Sequence, residues 1–195
     1  MDDSTRVTLE QIARFSDRLD GLYTTEFGVL IGKRLNKNLE FGFGYRHVGY
    51  HNGNKSLDED RFRQQIVGTF GRLSTRLRVD ERMHPNGNEI GFRVRPLVRY
   101  NLPLGKSGLQ AFASHESLFL ANNTKWGQKR GHERMRHWVG VVVPISKKAS
   151  ADVAYLNQYR FERGGSRAQM NHALSIQLTM NLGGGSKSPA PREHD

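Results

Sequence analysis

The chain has 195 residues, a length that suits one domain, and carries 30 Lys and Arg against 19 Asp and Glu, a net charge of +11. It contains no cysteine, which excludes thiol catalysis, disulfides and cysteine-based zinc sites. Only 36% of it is hydrophobic, its mean hydropathy is −0.67, and no run approaches the roughly 18 apolar residues of a transmembrane helix.

Apolar and polar residues alternate with a period of two along most of the chain. That period places successive side chains on opposite faces of a sheet. It predicts about ten strands, at 5–16, 22–33, 39–50, 58–70, 73–84, 89–102, 109–120, 133–145, 149–162 and 169–182. Each is about 10–14 residues long, near the roughly 9–11 that a tilted strand needs to cross a hydrocarbon core. Strands in soluble proteins average about 5–6.

In chain order, the first strand sets Arg6, Glu10 and Arg14 on one face. The second sets Glu26 and Gly28 opposite Phe27, Val29 and Ile31. The third sets Glu40, Gly42, Gly44 and Arg46 opposite Leu39, Phe41, Phe43 and Tyr45. The fourth sets Arg61, Arg63 and Gln65 opposite Phe62, Ile66 and Phe70. The fifth sets Arg76, Arg78, Asp80 and Arg82 opposite Leu77, Val79 and Met83. The sixth sets Arg93, Arg95 and Arg99 opposite Phe92, Val94, Val98 and Tyr100, and the seventh contributes Glu116. The eighth sets Arg134, Arg136 and Gly140 opposite Val139, Val141 and Val143. The ninth sets Asp152, Gln158 and Arg160 opposite Val153, Tyr155, Tyr159 and Phe161. The tenth sets Leu174, Ile176, Leu178, Met180 and Leu182 opposite Ala173, Ser175, Gln177, Thr179 and Asn181. Pro96 and Pro144 fall within these segments and argue for bulges or strand ends.

A soluble barrel of the lipocalin type needs an apolar interior, and the charged face is far too polar to supply one. The alternative is an antiparallel up-and-down transmembrane β-barrel, apolar outward to lipid and polar inward. It would have about ten strands, or twelve if N-terminal sequence is missing. Connections after the second, fourth, sixth and eighth strands are generally short, and those at 51–57 and 121–132 are long, with 16–21, 85–88 and 163–167 intermediate. Short periplasmic turns and longer outer loops fit that scheme. The barrel would span 1–182, and 183–195, which lacks large apolar residues, reads as a disordered tail. The chain starts Met1-Asp2-Asp3, acidic where a signal peptide is basic, so export to a bacterial outer membrane requires a leader already removed or missing.

Arginine suits a narrow lumen, because its fork bonds two carboxylates or carbonyls at once. The candidate luminal network is Arg61, Arg63, Arg76, Arg78, Asp80, Arg82, Arg93, Arg95, Arg99, Glu116, Arg134, Arg136 and Asp152. Arginines outnumber acids there, so the lumen should be electropositive. These arginines are spaced along strands, not clustered on a helix, and no nucleic-acid motif is present. The basic loop Asn122 to Gly131, with an exposed Trp126, could meet phosphorylated lipopolysaccharide.

The series Arg61-Phe-Arg-Gln-Gln65, Arg76-Leu-Arg-Val-Asp-Glu-Arg82 and Arg93-Val-Arg-Pro-Leu-Val-Arg-Tyr100 resembles the strands of an uncharacterised family of bacterial outer-membrane proteins. Glu116-Ser-Leu-Phe119, Asn122-Asn123, Glu133-Arg-Met-Arg136 leading to Val139-Gly140-Val141, and Tyr155-Leu-Asn-Gln158 continue the series. The resemblance covers 58–160 well and the rest loosely, and it lies in the order of the set. It implies a domain of unknown function, a barrel in the Gram-negative envelope, outer-membrane lipids and the barrel-insertion machinery as partners, and no activity to transfer. One departure is that such barrels usually end on a terminal aromatic, whereas here Leu182 is followed by a polar tail.

Catalytic signals are few. In Ser114-His115-Glu116-Ser117, His115 and Ser117 share the outward face, an arrangement similar to the His-x-Ser pair of some lipid-A deacylases, with Glu133 as a candidate third member. His47 and His51 share a face but lie more than ~13 Å apart along a strand, too far for one metal ion. Gly42-Phe-Gly44 belongs to a strand, not to a phosphate loop. The leading expectation is a non-enzymatic structural or binding barrel without cofactor or metal. A small porin-like anion-selective pore and an outer-membrane lipid hydrolase are the alternatives.

Overall fold

The structure is a computed structural model, and residues 4–16, 21–51 and 57–182 are described. The segments at 17–20, 52–56 and 183–195, the last expected to be a polar tail, lie outside the described residues. The described chain is all β: β1 (Thr5–Ser16), β2 (Gly21–Arg34), β3 (Leu39–Tyr50), β4 (Glu59–Phe70), β5 (Leu73–His84), β6 (Gly87–Pro103), β7 (Gln110–Leu120), β8 (Gly131–Pro144), β9 (Ala149–Arg160) and β10 (Gln169–Met180). Each bound lies within a few residues of its sequence expectation. The strands form one sheet in the order β1-β2-β3-β4-β5-β6-β7-β8-β9-β10. β1 is antiparallel to β2, β2 to β3, β8 to β9 and β9 to β10. The order is up-and-down, as the short connections require. Among the described residues no helix is long and apolar enough to cross a membrane, which says nothing about strands.

Turn chemistry sets several connections. Asn36 accepts the backbone N–H groups of Asn38 and Leu39 at 2.9 and 3.0 Å, folding the chain between β2 and β3. Gly71 takes φ +61° in the tight β4–β5 turn, a conformation that favours glycine. β5 and β6 run to His84 and from Gly87, so the connection expected at 85–88 is a tight Pro85-Asn86 turn. Pro144 ends β8 as expected, whereas β6 continues through Pro96, whose ring lies on the exposed face.

The described residues group into two compact units. The first takes the described residues within 4–66, 77–95 and 119–131; the second takes those within 67–76, 96–118 and 132–182. In both, the alternation is the inverse of a soluble sandwich. In the second unit Leu174 is 72% exposed and Ile176 67%, while Glu116 and Asp152 are 0% exposed. In the first, Phe27 is 58% exposed and Arg78 is fully buried. The second unit also holds a small apolar cluster on its buried face, made by Phe112, Trp138, Val142 and Ala154 with Leu156 packed against it. The sequence reading did not single out this cluster, because its members are interspersed among the charged positions.

Candidate functional site

In the first unit the buried carboxylates Glu26, Glu59 and Asp80 and the partly buried Glu10 each meet more than one guanidinium. Glu10 on β1 bonds Arg46 on β3, at 2.6 Å, and Arg63 on β4. Glu26 on β2 accepts from Arg14 at 2.9 Å and from Arg46 at 2.8 Å. Arg6 pairs with Glu40. Asp80 on β5 takes both Nε and Nη2 of Arg93, at 2.9 and 2.6 Å, with Arg95 at 3.5 Å. Arg78 donates Nε to Gln65 at 2.9 Å. Arg61 and Arg82 converge on Glu59, which the sequence reading missed. Its signal was present: Glu59 continues the period-two series of Arg61, Arg63 and Gln65 by one step.

In the second unit Glu116 holds Arg76 at 2.7 Å through one oxygen and Arg136 at 3.5 Å through the other. Arg99 donates to Asp152 at 2.9 Å while its guanidinium lies over the Phe112 ring, 3.7 Å from the centroid. Such stacking lets a charged fork sit against the apolar cluster. Arg134 pairs with Glu133, and Arg134 and Arg136 both reach Gln158, at 3.3 and 2.8 Å. Arg134 and Arg82 are only partly buried, toward strand ends, and Arg160 shares the face of Arg134, which it stands opposite, but is exposed because β9 ends there.

Small residues make room on these faces. A Cβ at Gly140 would stand 2.3 Å from the Val153 carbonyl oxygen and 2.6 Å from the Ala154 Cβ, so β8 and β9 approach closely only through glycine.

Trp126 corrects an expectation. It is half-buried, not an exposed loop residue. Its Nε1 donates to the Glu89 carbonyl at 2.7 Å, its ring stacks on His84 at 5.2 Å, and Arg82 lies 5.3 Å from its centroid. β6 extends beyond β7, and the 121–130 loop lies along that overhang. Ala121 donates to the Phe92 carbonyl at 2.9 Å, Asn122 bonds the β6 backbone at both Ile90 and Phe92, and Gln128 and Thr124 are buried. Lys125, Lys129 and Arg130 remain exposed.

The His115–Ser117 pair forms: Nε2 lies 3.1 Å from Oγ. Ser117 is only 8% exposed, more covered than a rim position implies. Among the described residues His115 makes no hydrogen bond to a carboxylate; its ring also lies 4.8 Å from that of His137, and Glu133 pairs with Arg134 instead. His47 bonds Asp60 at 2.9 Å and His51 bonds Thr25 at 2.7 Å, so the two histidines serve different partners.

A family described as "Protein of unknown function (DUF2490)" matches residues 1–171. An uncharacterized protein of Methylorubrum extorquens is 32% identical over 156 residues, covering 76% of this chain and 68% of that protein. The match spans nearly every strand that carries the buried charges, and on that extent the chain belongs to the DUF2490 family of proteins of unknown function.

Proposed function

We propose that this chain is a non-enzymatic outer-membrane β-barrel whose apolar face meets lipid and whose arginine–carboxylate network lines a polar lumen, with a structural or ligand-holding role. The observation that carries this reading is the inverted burial: aliphatic and aromatic side chains stand exposed in ladders while Arg63, Arg78, Arg99, Glu116 and Asp152 are nearly inaccessible. In water such ladders would leave contiguous apolar surface of a kind that stable monomers rarely expose. Outer-membrane lipids, lipopolysaccharide and the barrel-insertion machinery are the partners that follow. The purified chain is expected to need detergent to remain monodisperse and to migrate differently on a gel before and after heating. A monodisperse, detergent-free protein without a heat-dependent shift would overturn the reading. The sharing of Glu10, Asp80 and Glu116 between arginines favours a second reading, a narrow anion-preferring path.

A further inference from the structure

The exposed face of the second unit is not uniformly apolar. His137 on β8 stands opposite Asn157 on β9, and Asn157 opposite His172 on β10. The His115 ring on β7 lies 4.8 Å from that of His137. One polar row therefore crosses four strands. On its one side lie the apolar rows Val139/Tyr155/Leu174, Val141/Val153/Ile176 and Val143/Ala151/Leu178. On its other side lies Met135/Tyr159/Met170, about 6–7 Å along the strands. If the face meets lipid, the row lies inside the apolar band, one step from its edge. Ionisable groups at that depth mark functional positions, because an unmet polar atom in hydrocarbon is costly.

The row is rich in donors and has no acid. Asn157 Nδ2, which can only donate, lies 3.5 Å from His172 Nδ1, and the Tyr155 hydroxyl bonds the same atom. Among the described residues no hydrogen bond engages the exposed His137 ring. The first unit differs: its outward Tyr45 and His47 both bond Asp60, at 2.6 and 2.9 Å, and Gln64 bonds Glu81 at 2.9 Å. The β9–β10 connection adds Arg163 and Arg167 against Glu162.

We infer that the row His115–His137–Asn157–His172 docks the phosphate-bearing head group of a membrane lipid, with the acyl chains along Val139, Val153, Leu174 and Ile176. Several N–H donors without a competing carboxylate suit an anionic oxygen cluster, and the flanking aliphatic rows suit chains attached to it. The inference rests on the membrane reading above.

The full chain, folded in detergent, is incubated with phosphatidylglycerol or with diacylglycerol of the same acyl chains, and retained lipid is read by native mass spectrometry. The wild type is expected to keep phosphatidylglycerol and not diacylglycerol. His137→Ala and His172→Ala should each lower retention roughly tenfold, the worth of one charge-assisted bond. His137→Gln, which keeps a donor, should recover part of it. Heat-dependent gel migration, run in parallel, separates the two readings. Its absence in a detergent-free wild type removes the membrane reading and the site together. Its presence with equal retention of both lipids, or with alanine variants that retain as the wild type does, overturns the site alone. Displacement of the lipid by inorganic phosphate also overturns it, because the site would then take free anions. If the alanine variants lose the gel shift, the comparison of the two lipids on wild type and His137→Gln still decides.

Discussion

Arg82 grips Glu59 through two parallel bonds, Nε to Oε1 at 2.7 Å and Nη2 to Oε2 at 2.6 Å, at a carboxylate only 2% exposed. Arg61 reaches the same Oε1. Removing the acid takes from Arg61 and Arg82 their shared carboxylate and leaves them the more distant Glu26 and the neutral Gln128. Glu59→Ala is expected to cost about 3–5 kcal/mol, measured by urea unfolding of the folded protein in detergent. Combining Glu59→Leu with Arg82→Met should cost less than Glu59→Ala, because a matched apolar pair strands fewer charges.

Val141 lies mid-strand on the outward face and Ser175 on the opposite face of β10. In a lipid bilayer Val141→Arg is expected to cost about 2–4 kcal/mol, and Ser175→Arg clearly less. Equal losses in a bilayer unfolding assay would reject the assignment of faces.

Gly140→Ala is expected to destabilise by about 1–3 kcal/mol. In an open strand the same change would stabilise slightly by restricting the unfolded chain. The contacts at 2.3 and 2.6 Å decide the sign, since backbone and a neighbouring Cβ cannot swing aside. The urea midpoint of the variant gives the answer.

Any open state of the protein should prefer anions. Reversal potentials in planar bilayers under a salt gradient measure this, and cation preference would contradict the arginine excess. Replacing Arg93, Arg95 and Arg99 together should raise conductance or destabilise the fold, because Asp80 and Asp152 would lose the partners seen here.

Acyl release from lipid A or phospholipid is expected to be absent in both the wild type and Ser117→Ala. The His115–Ser117 bond supplies a base beside a hydroxyl, but among the described residues no carboxylate bonds the imidazole to orient it. Turnover that vanishes in the variant would make Ser117 a nucleophile.

Strand positions and faces were legible because period two is a local signal that survives in every segment, and the buried series from Arg61 to Asp152 follows it. What was not legible arises between segments. The partner choice of Glu10 depends on which strands stand beside β1. Trp126 read as exposed because its docking needs the β6 overhang, a difference in strand length that sequence places only to within a few residues. The row from His115 to His172 depends on the registers of β7 to β10, and a one-residue slip in any of them dissolves it.

Glu10, Arg46, Glu26 and Arg61 link β1, β3, β2 and β4 in one chain of ion pairs. Within the first unit, a β1–β2 hairpin on its own would hold Glu10 and Glu26 with only Arg14 of these partners at hand. The compensation arrives only when β3 and β4 are added. A partial assembly thus holds the Arg14–Glu26 pair alone, and the pairings through Arg46, Arg61 and Arg63 come together only with β3 and β4. That couples the strands into an all-or-none ordering step and selects against premature association of fragments.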